Sequence, residues 1–202
     1  MADFVHLHNH SEYSLLDGLS RVEDMVARAK ELGMKSIAIT DHGNMYGTIQ
    51  FYKECIAAGI KPIIGCEIYI AKRSRFDKTV DDKDYNHLIL LAKNLTGYKN
   101  LMKIVSKSHL EGFYYKPRTD IELLREHSEG LICLSACVNG YVSEPLLNNQ
   151  EDEAIERMKK LQEIFPDDFY FELQRHINVP PQEPLNQKLL VLSKKYGVPI
   201  VA

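Results

Sequence analysis

Short apolar runs alternate with amphipathic stretches from one end of the chain to the other. Residues 4–7, 36–40, 62–71, 88–93, 131–135, 169–173 and 199–202 have the length and apolar character of seven strands. Between them lie helical patterns. In "SRVEDMVARAKELG", Ser20 and Glu23 stand in capping-box register, Val22, Met25, Val26, Ala29 and Leu32 form one apolar stripe, and Gly33 ends the segment. "TDIELLREHSEG" repeats this grammar with Thr119, Glu122 and Gly130. "EDEAIERMKKLQEIF" puts Ile155, Met158, Leu161, Ile164 and Phe165 on one face, and "NQKLLVLSKKYG" leads into the last run. Such alternation predicts a parallel sheet, either a barrel or doubly wound. One segment breaks the rhythm: residues 72–86, "KRSRFDKTVDDKDYN", are charged and aperiodic, which predicts a long surface loop of the functional or mobile kind. No repeat, low-complexity tract or linker interrupts the chain, so residues 1–202 read as one domain.

With 202 residues, 45% hydrophobic and 26% charged, the chain can bury a substantial core. A net charge of -3 excludes a uniformly basic nucleic-acid binder, leaving only local contacts to a strand. No run is long enough to span a membrane and no charged-then-apolar leader precedes Phe4, so the reading is of a cytoplasmic chain without a membrane partner. Cys55, Cys66, Cys133 and Cys137 form no CxxC pair and read as reduced thiols.

The chemistry begins at "FVHLHNH". In a strand, residues two apart share a face, so His6 and His8 would aim their rings into one space, a poor core and a good start on a metal site. The alternative is a strand whose histidines simply face water. In parallel sheets, sites form at the C-terminal ends of strands. There "TDHGNMYG" places Asp41 and His42, "LSAC" places Cys137, and "ELQRH" places Arg175 and His176. Glu67 lies among apolar neighbours in "PIIGCEIYI", where an ionised carboxylate is costly unless paired or bound to a cation. Asp17 follows the first run in "SLLDG". Each has a plain structural reading: a turn for Asp17, a hydrogen-bonded histidine for His42, an inert thiol for Cys137. Together His6, His8, Asp17, His42, Glu67 and Cys137 fall near one rim. Imidazole, carboxylate and thiol donors suit zinc-like ions, and their number points to a multinuclear centre of the kind that clamps phosphate.

The blocks "HLHNHSEYSLLDG", "AITDHGNMYG", "GCEIYIA", "HLILLAKNLTGYKNLMKIVS", "GFYYKPR" and "GLICLSAC" resemble, in order and over essentially the whole chain, the polymerase and histidinol phosphatase (PHP) domain family. The specific likeness is to the copy carried by the alpha subunits of bacterial DNA polymerase III. The resemblance implies a distorted seven-stranded (β/α) barrel and a cluster of up to three divalent ions, zinc first, with manganese or iron as alternatives. It also implies a 3′–5′ exonuclease that proofreads. Residue by residue, the implied ligands are His6, His8, Asp17, His42, Glu67, His87 and Cys137, with His6, His8 and Glu67 at the catalytic centre. His10, Asp41, Arg175 and His176 would support them or touch phosphate, and Lys72–Arg75 with Lys116 and Arg118 would guide a nucleic-acid backbone.

Two features fit the family less easily. His87 opens its run, the wrong end of a parallel strand for a rim ligand. The family's last motif, an Asp-x-His pair after the seventh strand, is expected beyond Ala202, so the sequence reads as a fragment truncated at that strand. Implied partners are a DNA 3′ end, the remainder of the polymerase alpha subunit, and proofreading or clamp subunits. The competing functions are a non-catalytic module that braces the polymerase and docks a proofreading subunit, and a free-standing phosphomonoesterase.

Overall fold

Strand alternation sorts the side chains of a curled sheet into an inner and an outer layer, in a computed structural model that describes residues 4–15 and 17–202. Its strands are β1 (Ser36–Ile39), β2 (Lys61–Ala71), β3 (Tyr85–Ala92), β4 (Phe113–Tyr114), β5 (Lys116–Thr119), β6 (Leu131–Leu134), β7 (Phe169–Glu172) and β8 (Ile200–Val201). The sheet runs β4-β5-β2-β3-β6-β7-β8, with β1 added to the first half of β2. Helices α1 (Val22–Glu31), α2 (Thr48–Ala58), α3 (Leu95–Leu110), α4 (Ile121–Glu126), α5 (Ser143–Leu147), α6 (Glu151–Ile164) and α7 (Gln182–Tyr196) connect the strands. The α/β architecture with a curled sheet expected from the sequence is the one observed.

On β3, Leu88 and Leu90 face outward into a core built with Ile68 and Ile70 of β2, Leu101 and Ile104 of α3, Met158 and Leu161 of α6, and Leu189 of α7. The intervening Ile89 and Leu91 face inward, against Ala38, Leu134 and Ala136. A third cluster joins Ile37 and Ile39 of β1 to Val22, Val26, Phe51 and Cys55 of the first two helices. The barrel interior is narrow, and Gly65 shows how narrow: a Cβ there would lie 2.6 Å from the Leu91 side chain and 2.7 Å from the Leu90 carbonyl oxygen.

Several expectations are corrected. The sheet is mixed, because β3 runs antiparallel to both β2 and β6. The β2–β3 connection carries a 3-10 turn, Val80–Asp82, and no crossover helix, so the chain simply reverses. Residues 4–7 form no regular strand. The amide of Ala38 donates to the His6 carbonyl and that of Thr40 to the Asn9 carbonyl, so three steps on one side match two on the other. The Asn9 side chain closes this bulge by donating to the carbonyls of His6 and Ala38. Ser20 and Thr119 cap nothing: α1 begins after Arg21 without a side-chain cap, and Asp120 caps α4 by accepting from the Leu123 amide at 2.9 Å. The β4–β5 hairpin was not foreseen.

The charged segment 72–86 is pinned down by its own charges. Lys72 meets Glu144 at 2.8 Å, Arg73 meets Asp82 at 2.7 Å, and the buried Arg75 meets Glu111 at 2.7 Å and Asp120 at 2.9 Å. Arg118 is 1% exposed and donates to the carbonyls of Gly112, Asp82 and Asp77. Of the basic groups expected to guide a backbone, these four are engaged within the fold, Arg75 and Arg118 buried and Lys72 and Arg73 at the surface, while Lys116 sits over the Tyr69 ring.

Candidate metal centre

The reversed direction of β3 resolves the position of His87. Because β3 opposes β2, its first turn of chain lies at the rim where the parallel strands end, and His87 pairs across from Tyr69 there. Inward phase then stacks His87 above Ile89, as it stacks Glu67 above Gly65 on β2. His42 follows β1 and bridges to Glu67. Gly18 draws in the loop bearing Asp17: a Cβ there would sit 1.7 Å from the Ser11 carbonyl oxygen, so only a bare backbone passes.

Glu67, 1% exposed, is the hub. Its Oε2 lies 2.9 Å from His8 Nε2, 2.9 Å from His10 Nε2 and 3.3 Å from His42 Nδ1, while Oε1 lies 2.7 Å from His87 Nδ1. His42 Nε2 meets Asp17 Oδ2 at 2.7 Å. Three donor triads overlap within this cluster: His8, His10 and Glu67; His10, Asp17 and His42; His42, Glu67 and His87. Cys137 Sγ lies 3.7 Å from His87 Nδ1, beside the last of them.

Surrounding groups hold the rings. His8 Nδ1 lies 2.7 Å from Glu172 Oε1, and His10 Nδ1 lies 2.9 Å from the Ser14 hydroxyl. Asp41, 2% exposed, accepts from the amide and the hydroxyl of Ser11, tying the first loop to the end of β1. The His42 ring stacks on His10 at 4.3 Å and on Tyr69 at 5.6 Å. The whole cluster opens into a cleft of about 670 Å³, whose wall includes Gln174, Arg175 and His176.

The electrostatics are those of a site with too many imidazoles for one carboxylate. Burial works against a proton on His8, yet hydrogen bonds to Glu172 and Glu67 outweigh it and raise its pKa to about 10. Burial would raise Glu67, but the facing His10, His8 and His87 hold it well below the usual carboxylate range. His42 is lowered by burial, with His10 and His87 adding repulsion against the pull of Glu67 and Asp17. Burial pushes the Cys137 thiol up to about 12. Of the five buried side-chain atoms without a hydrogen-bond partner among the described residues, two, His42 Nδ1 and Glu172 Oε2, lie in this cluster. Lone-pair donors left unpaired beside converging imidazoles are what a divalent cation satisfies, and the donor set fits one.

Of the residues expected at the rim, the structure brings together His8, Asp17, His42, Glu67, His87 and Cys137. His6 is the exception. Its ring is exposed, packs edge-on against Phe4 at 4.9 Å, and belongs to none of the donor triads, although it touches the edge of the cleft. The bulge at Asn9 breaks the alternation between His6 and His8, so His10, expected only as a supporting residue, stands beside His8 instead. Asp41 supports from below, and Arg175 and His176 are exposed on the cleft wall. Glu172 and Gln174 were missed. The signal for Glu172 was present: like Glu67, it is a carboxylate in an apolar strand, "FYFE".

The sequence profile of the PHP domain family matches residues 6–176. Curated relatives are DNA polymerase III alpha subunits: the chain is 51% identical to that of Borreliella burgdorferi and 45% identical to that of Thermus aquaticus, each over 98% of its length and 17% of theirs. The chain therefore spans about a sixth of the relatives it matches. Among solved structures, a protein from Bifidobacterium adolescentis described as a metal-dependent phosphoesterase superposes over 99% of this chain and 86% of its own, with a TM-score of 0.62 and 13% identity. A Bacteroides vulgatus two-domain protein, containing a predicted PHP-like metal-dependent phosphoesterase, does so over 97% of this chain and 49% of its own, with a TM-score of 0.54 and 15% identity. These two likenesses are of fold. No helix among the described residues is long and apolar enough to cross a membrane.

Proposed function

Because the chain belongs to the PHP domain family and is matched end to end by a segment of bacterial DNA polymerase III alpha subunits, we propose that it is the phosphoesterase domain of such a polymerase, hydrolysing DNA phosphodiesters from the 3′ end. The observation that carries this reading is the set of three overlapping donor triads around the buried Glu67, with His42 Nδ1 and Glu172 Oε2 left unpartnered. A phosphodiesterase attached to a polymerase has the polymerase's own product within reach, which is why removal of a mispaired terminal nucleotide is the activity proposed. Its setting would be the cytoplasm, with the rest of the alpha subunit and other replication subunits as partners.

His8, His10, Asp17, His42, Glu67 and His87 would hold up to three divalent ions, with Cys137 as a further donor at His87. When bound, such ions generate hydroxide from water at neutral pH and stabilise charge on the phosphate and the leaving oxygen. The protein's own work is orientation. Glu172 on His8 Nδ1 and Ser14 on His10 Nδ1 fix both rings with Nε2 turned to the cluster. Glu67, held ionised, offers both oxygens to separate triads. Arg175 and His176, exposed on the cleft wall, would meet the phosphates of an entering strand.

The test is elemental analysis of protein purified without chelator, beside a His8→Ala variant, followed by an assay on 5′-labelled single-stranded and mismatched DNA. Two to three zinc, manganese or iron ions per chain, fewer in the variant, with strand shortening that a chelator abolishes, is the expected result. A wild-type chain that binds no metal and shortens no strand would leave the domain a structural role in the polymerase.

A further inference from the structure

His87 and Asn139, which wall the cleft at the donor cluster, also wall a second cleft of about 610 Å³, lined further by Lys83, Asp84, Tyr85, Tyr115 and the Lys72–Glu144 ion pair. Tyr115 is the apex of the β4–β5 hairpin. Tyr114 pairs with Lys116 directly across it, so a single residue must reverse the chain. Its φ is accordingly 59°, a left-handed value that glycine adopts freely and a tyrosine does not. The side chain at this strained position is 71% exposed. An aromatic ring held in solvent on a turn that favours glycine contributes nothing to the core.

The hairpin beneath is firmly held. Tyr114 meets the Tyr115 ring edge to face at 4.8 Å and itself lies under the buried Arg118 guanidinium at 5.3 Å. Lys116 sits over Tyr69 at 5.4 Å, and His109 Nε2 donates to the Gly43 carbonyl at 2.8 Å, fastening the preceding helix to the rim. Lys83 and Lys116 have no carboxylate partner among the described residues, unlike Lys72, Arg73 and Arg75. An exposed ring, two ammonium groups without a carboxylate partner among the described residues and a cleft adjoining the donor cluster are the parts of a single-strand binding site.

We propose that Tyr115 is a stacking platform for an unpaired base at the 3′ end of single-stranded DNA, with Lys83 and Lys116 flanking the backbone as it turns toward the donor cluster. The inference rests on the phosphodiesterase reading for the identity of the strand. Stacking accepts every base, because each has a π face, as removal of any terminal nucleotide requires. A ring already fixed by its hairpin loses little freedom when the base arrives.

The experiment uses a short single strand with 2-aminopurine as its 3′ nucleotide, titrated with the wild-type chain, Tyr115→Phe and Tyr115→Ala, with metal content measured for all three. Wild type and Tyr115→Phe should quench the fluorophore on binding. Tyr115→Ala should bind about tenfold more weakly without quenching, at unchanged metal content. A strand with an abasic 3′ residue should bind wild type and Tyr115→Ala alike. Equal affinity and quenching in Tyr115→Ala, or no quenching by wild type, would overturn the proposal. Quenching lost in Tyr115→Ala, from a wild-type chain that shortens no strand, would support the stacking site and overturn the nuclease reading instead, so the two fail separately.

Discussion

Two of the buried ionic clusters among the described residues are built to opposite rules. Around Arg75, the guanidinium meets Glu111 and Asp120, its amide donates to Asp120 Oδ2 at 2.9 Å, and the same carboxylate caps α4. Both oxygens of Asp120 accept hydrogen bonds, and no fully buried side-chain atom of Arg75, Glu111 or Asp120 lacks a partner. Around Glu67, four imidazole nitrogens converge on two oxygens, His8 Nε2 faces His10 Nε2 at 3.1 Å, and buried acceptors remain unpaired. A cluster complete in itself holds a structure; one with surplus ligand atoms converging on a carboxylate has the donor set that suits a cation. Burial and charge alone would not have told them apart.

The comparison breaks most sharply at Glu67. Glu67→Gln removes the charge that gathers both oxygens' triads, and should lower bound metal to one ion or none while cutting metal-dependent hydrolysis by roughly a hundredfold or more. Metal per chain and rate, on protein whose circular dichroism matches wild type, decide it; full metal occupancy in the variant would refute the hub role. Next comes Arg75→Ala, which strands Asp120 as a buried, unpaired carboxylate and should destabilise the fold by about 3–5 kcal/mol in urea titration. Metal per folded chain should not change, and a variant that lost metal without losing stability would invert the assignment of the two clusters.

Acid sharpens the picture further. Hydrogen bonds from Thr79 and Arg73 hold the Asp82 carboxyl down at about 2. A depressed carboxylate contributes stability above its unfolded value near 4 and loses it as pH falls through the folded value near 2. The difference in urea midpoint between wild type and Asp82→Asn should therefore be full at pH 5 and shrink steadily toward pH 2; a constant difference would deny the shift. The smallest effect is expected at His6→Ala. With its ring exposed and outside every donor triad, its removal should leave metal content within measurement error, whereas His10→Ala should lower it.

The sequence carried the architecture because it is written in long-range periodicity: strands β1, β2, β6, β7 and β8 begin and end within one residue of the apolar runs, and β3 starts only three residues before its run, since an apolar run must be buried wherever it pairs. Direction is not written there. Nothing in "HLILLAKN" says that β3 runs backwards, and that single fact is what brings His87 to the rim. The donor residues were legible as types out of place, Glu67 foremost, and Glu172 obeyed the same rule unnoticed. The spacing of His6, His8 and His10 was legible but ambiguous. One inserted step at Asn9, made by side-chain hydrogen bonds to two carbonyls, decides which pair turns inward, and no period-two pattern encodes it. Likewise the charge of segment 72–86 was visible, and its internal partners on α4 and at Glu144 were not.

The hydrogen bond between His8 and Glu172 joins residues 164 positions apart. During synthesis His8 is made 164 positions before Glu172, so its orienting carboxylate does not yet exist while the intervening strands are being made. Closing so long a loop is slow and entropically unfavourable until the intervening strands have paired. The orientation of this ring is therefore a late event of folding, set only once β7 has joined the sheet.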